Sequence, residues 1–207
     1  MAERKHGAAA PKTTSTVNGE DWYGRELTSA DSFDKVLFVD CDFTELVNAG
    51  AVFTECSLRN VKFNVSRHTD AAFANCTFTR CNFFDAEFTR CKMIGSMFDG
   101  CAWDIAKIER GDWSFAGLPG ADLQSARING TRMRETDLTG IRAAGGVLTN
   151  LDTSGAWFQH ADLTGCDLRG TDLSNLDPLT VELARAIISI DQAVSIAEAL
   201  RLDVRPE

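Results

Sequence analysis

The stretch ADLTGCDLRGTDLSN, residues 161–175, is three copies of one five-residue unit. Leu163, Leu168 and Leu173 recur at every fifth position, and Ala161, Cys166 and Thr171 stand two residues before them. Stepping backwards by five, a large side chain returns without a slip of register as far as Phe33. Of the 29 central positions from Phe33 to Leu173, only Asn48, His68, Ala143 and Thr153 are not large and apolar.

The position two residues before each centre is small almost throughout. All seven cysteines fall there: Cys41, Cys56, Cys76, Cys81, Cys91, Cys101 and Cys166. A thiol in that slot acts as a small buried hydrophobe. The odd count and the absence of a CxxC pair argue against a zinc site or a secreted disulfide framework. Reduced thiols predict a cytoplasmic protein.

A period of five is neither the 3.6 of a helix nor the 2 of a plain strand. One large and one small inward residue per five make each repeat one side of a coil. The other three slots carry polar residues and face water, so each coil buries its inward groups only against its neighbours.

These segments resemble the pentapeptide-repeat family, whose consensus is A(D/N)LXX. The resemblance spans about 145 residues. It implies an all-β solenoid, a right-handed quadrilateral β-helix with four repeats per twenty-residue coil and a short α-helical C-terminal module. Residues twenty apart then stack, with coils about 4.8 Å apart. Glycine recurs two residues after the centre late in the chain (Gly120, Gly130, Gly140, Gly145, Gly155, Gly165, Gly170) and suits turns with positive φ. The early half has few, which predicts looser turns before about residue 115.

Residues 1–21 read as a flexible polar tail, 22–176 as the β-helix, and 177–207 as a helical cap and dimerisation module. No signal peptide and no apolar run long enough for a membrane span is present. Asp177-Pro178 predicts a helix start, and Ser189 with Gln192 a capping box for a second helix. Ile190, Val194, Ala197 and Leu200 lie at helical spacing, and Ile187 adds apolar surface. These five form a candidate homodimer interface, because a two-fold contact buries one self-complementary patch.

No GxSxG, P-loop or HExxH is present, and the three histidines show no metal spacing. No enzyme, no metal and no cofactor is expected. His68, at a central position, reads as an inward ring. The chain carries 30 acidic and 21 basic residues, a formal charge of −9, which disfavours direct nucleic-acid binding. Residues 145–207 hold 10 acidic and 4 basic side chains, a net of −6. Asp122, Asp137, Asp152, Asp162, Asp167 and Asp172 share the slot just before a centre, where each is expected to point outward.

Two segments sharpen the resemblance. SRHTDAAFANCTFTRC (66–81) and ISIDQAVSIAEALRL (188–202) are similar to the MfpA-type mycobacterial fluoroquinolone resistance proteins, and more distantly to the Qnr proteins. That resemblance implies a DNA mimic that binds DNA gyrase, with the six aspartates as the acidic surface. The unbroken register leaves no room for a projecting loop of the Qnr kind. The alternative is a repeat scaffold that binds a different protein, since fold alone does not fix function.

Overall fold

The computed structural model describes residues 10–205. It is a parallel β-solenoid with four faces. The first carries Phe33, Phe53 and Phe73; the second Phe38, Leu58, Phe78 and Phe98; the third Phe43, Phe63, Phe83 and Trp103; the fourth Asn48, His68, Phe88, Ile108, Ile128 and Leu148. Strands are three or four residues long and pair in parallel with the residue twenty further on, as in Phe78↔Phe98 and Phe88↔Ile108. The fourth face is a seven-stranded sheet, the second has five strands and the first three. Single bridges such as Lys62↔Asn82 and Asn82↔Ala102 continue the ladder on the third face.

Stacking puts like on like. Phe33, Phe53 and Phe73 lie 4.6 Å apart between successive ring centroids. Phe63, Phe83 and Trp103 form a second column at 5.0 and 4.4 Å. The offset geometry of such pairs adds to the burial of large aromatic area. Towards the C-terminus the columns change to Leu, Ile and Ala. Six of the seven cysteines are buried and Cys101 is half-buried; all are free thiols.

Corners obey one rule along nearly the whole rod, Ser125 and Asn175 excepted. The residue two after the centre adopts positive φ, whether it is Gly120 (68°), Gly165 (63°), Lys35 (52°), Asp70 (54°) or Arg80 (52°). The expectation of looser early turns is therefore corrected. Parallel pairing between coils imposes the same corner on residues that would not choose it alone.

The solenoid is longer at both ends than the sequence reading placed it. Residues 1–9 of the expected tail lie outside the described residues. Ser15–Asn18, however, is a strand paired with Val36–Val39. Its register is 21, as is that of Glu26–Thr28 with 47–49, whereas Ser32 pairs with Val52 at 20. One extra residue thus sits between Thr28 and Ser32. Asp31 closes that corner, its Oδ2 accepting from the Thr28 backbone N–H at 2.7 Å and the Thr28 hydroxyl at 3.2 Å. The inserted residue shifts the frame and hides the first coil, Val17–Trp22–Leu27, from a count by five. Trp22 stacks on Phe43 at 4.6 Å and lies under the Arg25 guanidinium at 4.2 Å.

At the other end, Leu163 N–H donates to Glu182 C=O at 2.9 Å and Leu168 N–H to Ile187 C=O at 2.8 Å, so the coil runs on to Ile187. No helix starts at Asp177-Pro178. Asp177 instead accepts from Leu179 N–H at 3.0 Å and closes one more solenoid corner. The module holds a single helix, Ile190–Ala199, with the Ser189/Gln192 capping box in place.

Candidate partner-binding surface

The slot before each centre is made for aspartate by backbone geometry. Its carboxylate accepts from the N–H two residues on and so fixes the corner. Asp162 does this with Thr164 (3.0 Å), Asp167 with Arg169 (3.2 Å), Asp172 with Ser174 (3.0 Å) and Asp137 with Thr139 (3.0 Å). Asp122 and Asp152 do it more loosely, at 3.3 and 3.4 Å.

At Asp122, Asp152, Asp162, Asp167 and Asp172 these bonds favour the charged form. The Thr164 hydroxyl, then its backbone N–H, hold Asp162 below the ordinary carboxylate range. The Arg169 side chain does the same for Asp167. At Asp122, Asp152 and Asp172 burial pushes the pKa up, but hydrogen bonds outweigh it and the net shift is downward.

The six aspartates do not form one stripe. Asp152 and Asp172 lie on the first face, Asp137 on the second, Asp122 and Asp162 on the third, and Asp167 on the fourth. Three are ion-paired: Asp122 with Arg142 at 3.1 Å, Asp152 with Arg134 at 2.7 Å and Asp167 with Arg169 at 2.7 Å. Asp137 does not face water as expected; it is 4% exposed, flanked in register by Gly117 and the large Trp157. Among the described residues Asp162 and Asp172 have no cationic partner, and Asp172 takes a 3.0 Å bond from Ser154 Oγ.

Ion pairing is itself a product of the period. Residues twenty apart are neighbours, and opposite charges alternate down the columns, as in Asp42–Lys62, Asp70–Arg90 and Asp112–Arg132. The net negative charge is nonetheless concentrated over residues 145–207, where bases are scarce.

There the helix lies over the last coil. Gln192 buries its carboxamide, and Nε2 donates to Leu168 C=O and Thr171 C=O at 2.7 Å each. This capping contact is invisible in the sequence, where Gln192 reads only as a capping-box residue. Leu183, Ala186, Ile188 and Ile196 pack partly buried on the core. The opposite side stays apolar and open: Ile190 is 85% exposed, with Ile187, Val194 and Leu200 exposed beside it and Ala197 half-buried.

Outward apolar side chains also occur along the rod. Phe84, Ile94, Phe115 and Trp157 are exposed, but Met97 is buried. Met97 lies over Gly117, where a Cβ would come within 2.1 Å of its Cε.

Among the described residues no group of three or more potential ligands could hold a metal ion, and no helix is long and apolar enough to cross a membrane.

The pentapeptide-repeat profile matches in eight copies over residues 69–101, 108–140 and 145–177. The chain belongs to the pentapeptide-repeat family. None of the curated proteins matches it. Among solved structures, full-length QnrB1, a plasmid-mediated fluoroquinolone resistance protein, is similar at TM-score 0.45 and 18% identity. That match covers 91% of this chain and 98% of QnrB1. A trypsin-treated QnrB1 variant gives 0.47 and 19%, covering 94% and 99%. HetL, a pentapeptide-repeat protein involved in heterocyst differentiation regulation from the cyanobacterium Nostoc, gives 0.34 and 15%, covering 85% and 84%.

Proposed function

We propose that this repeat protein is a non-enzymatic binder of DNA gyrase that occupies the enzyme's DNA-binding saddle as a rigid acidic rod. It would thereby inhibit gyrase or shield it from fluoroquinolones and other gyrase poisons. The observation that carries this reading is the set of corner carboxylates held ionised by hydrogen bonds from side chains and from backbone N–H groups, with charge in excess over residues 145–207. A saddle lined with Lys and Arg attracts a surface of fixed negative charge as it attracts phosphates. The likeness of residues 66–81 and 188–202 to mycobacterial fluoroquinolone resistance proteins supports the same partner.

The exposed stripe Ile187, Ile190, Val194, Ala197 and Leu200 supports dimerisation through the C-terminus. Pairing there would double the acidic zone at the middle of the rod. The decisive experiment titrates purified protein into a gyrase supercoiling assay, with and without ciprofloxacin. Inhibition, or rescue from drug-stabilised cleavage, is expected; neither effect means the gyrase reading is wrong. A second reading, a scaffold for another protein, draws on the arginine pairing of Asp122, Asp152 and Asp167. It predicts a rod inert towards gyrase in that assay.

A further inference from the structure

The wall of the solenoid is dented where the fourth face turns into the first. Arg110 and Gly111 both adopt positive φ, 64° and 89°, and no other two consecutive described residues do. Gly111 stands in the small inward slot, where a side chain normally seals the wall. A Cβ there would lie 2.2 Å from the Cys91 carbonyl oxygen, so only glycine fits. One coil on, Gly130 leaves the corner bare as well. Thr131 Oγ1 turns inward, 3.0 Å from Arg110 C=O and 3.2 Å from Asn129 C=O, and closes the floor. The result is a groove of about 440 Å³, lined by Arg90, Lys92, Asp112, Arg132, Asn150 and Asp152 around the two glycines and Thr131. No aliphatic or aromatic residue lines it.

The charges around this groove do not cancel. Arg90 holds Asp70 at 2.7 and 2.8 Å, Arg132 holds Asp112 at 3.2 Å and Arg134 holds Asp152 at 2.7 Å. Glu109 lies on the fourth face, where it accepts from Asn129 Nδ2 at 3.0 Å. Lys92 and Arg110 are left exposed and without an ion pair among the described residues. Lys92 precedes Asp112 in the outward column of the first face. Arg110 runs along the corner, its Cγ 3.5 Å from where a Cβ of Gly130 would stand. The two therefore border the groove from adjacent sides. An ammonium and a planar guanidinium fork together suit a phosphate dianion. The volume exceeds what one phosphate fills and lies in the range of small-molecule sites. The rest of the lining offers carboxylate acceptors and no apolar wall, which suits hydroxyl groups rather than an aromatic base or an acyl chain. We infer that the groove at Gly111 and Gly130 binds a small phosphorylated sugar or polyol, its phosphate on Lys92 and Arg110 and its hydroxyls on Asp112 and Asp152. This site is independent of the gyrase reading.

The test titrates glucose 6-phosphate into the purified full chain at low salt by isothermal calorimetry, with inorganic phosphate and glucose as separate titrants. The sugar phosphate is expected to bind about tenfold more tightly than inorganic phosphate, and glucose not at all. Lys92→Gln and Arg110→Gln should each weaken binding about tenfold. Gly130→Asn should block the groove and keep the corner, since Asn150 holds the same left-handed position one coil on at φ 55°. Arg80→Gln should leave affinity unchanged. Arg80 lies against Gly100 as Arg110 lies against Gly130, with Cγ at 3.6 Å, but Cys101 fills the slot that Gly111 leaves open. All four positions are exposed, and an unchanged Tm shows that each variant folds. Absence of binding by the wild type overturns the site, and so does equal weakening by Arg80→Gln. Inorganic phosphate binding as tightly as the sugar phosphate overturns the ligand class. Neither result touches the gyrase reading, which the supercoiling assay tests by itself.

Discussion

His68 Nε2 sits 3.0 Å from Ser66 Oγ, and Ser66 has already given its only proton to the Phe63 carbonyl at 2.6 Å. The serine therefore accepts, and the ring is the neutral Nε2–H tautomer. It stacks on Phe88 at 4.7 Å, and its Nδ1 has no partner.

That burial makes stability depend on pH. Burial pushes the His68 pKa down to about 3. The unfolded chain takes up this proton near pH 6.5, the folded one only near 3. Stability is full above 6.5 and falls as the pH drops towards 3, by about 1.4 kcal/mol per pH unit. Denaturant titrations should show roughly 2 kcal/mol lost between pH 6.5 and 4.5. His68→Leu should flatten that window; an unchanged slope would mean the ring is protonated in the folded state.

Gln192→Ala should strip the cap from the last coil. It leaves two carbonyls without their donor, at a cost of about 1–3 kcal/mol. Hydrogen exchange should speed up first in residues 163–199, before the middle of the rod. Uniform exchange along the chain would show that Gln192 does not hold the end.

Phe83 and Phe84 are neighbours with opposite fates. Phe83→Ala removes the middle of the Phe63–Phe83–Trp103 column and should cost about 3–5 kcal/mol in chemical denaturation. Phe84→Ala, on the surface, should stay within about 0.5 kcal/mol.

The acidic surface should divide by pairing. Asn keeps the corner hydrogen bond and removes only the charge. Asp162→Asn/Asp172→Asn should therefore weaken gyrase binding more than Asp122→Asn/Asp167→Asn, whose charges Arg142 and Arg169 already offset. Equal effects, or none, would remove the charge-mimicry argument.

For the dimer, Val194→Asp places a charge in the exposed stripe of the helix. Light scattering should then report monomers at concentrations where the wild type is dimeric. A persistent dimer would locate the contact elsewhere.

The period of five determined most of this architecture before any coordinates. An inward slot filled by Phe, Leu and Cys at constant spacing admits one solution, coils that stack in register, because each repeat buries its core residues only against the next. Where a local signal competed with that stacking, stacking won. Asp177-Pro178 reads as a helix start, yet the coil below offers paired backbone groups and the chain takes one more turn. The sparse early glycines suggested loose corners, yet parallel pairing holds Lys35 and Asp70 in the same conformation.

What only the tertiary structure decided is what lies twenty residues away. Asp122 and Asp162 occupy equivalent slots, but Arg142 lies one coil from each and pairs with Asp122. Asp137 shares the slot and is nevertheless buried beside Trp157. The single residue inserted before Ser32 moved the true start of the solenoid out of the counting frame. Sequence sets which way a side chain points, through local backbone geometry. Charge, exposure and partner depend on the neighbouring coils, which a reading along the chain does not bring together.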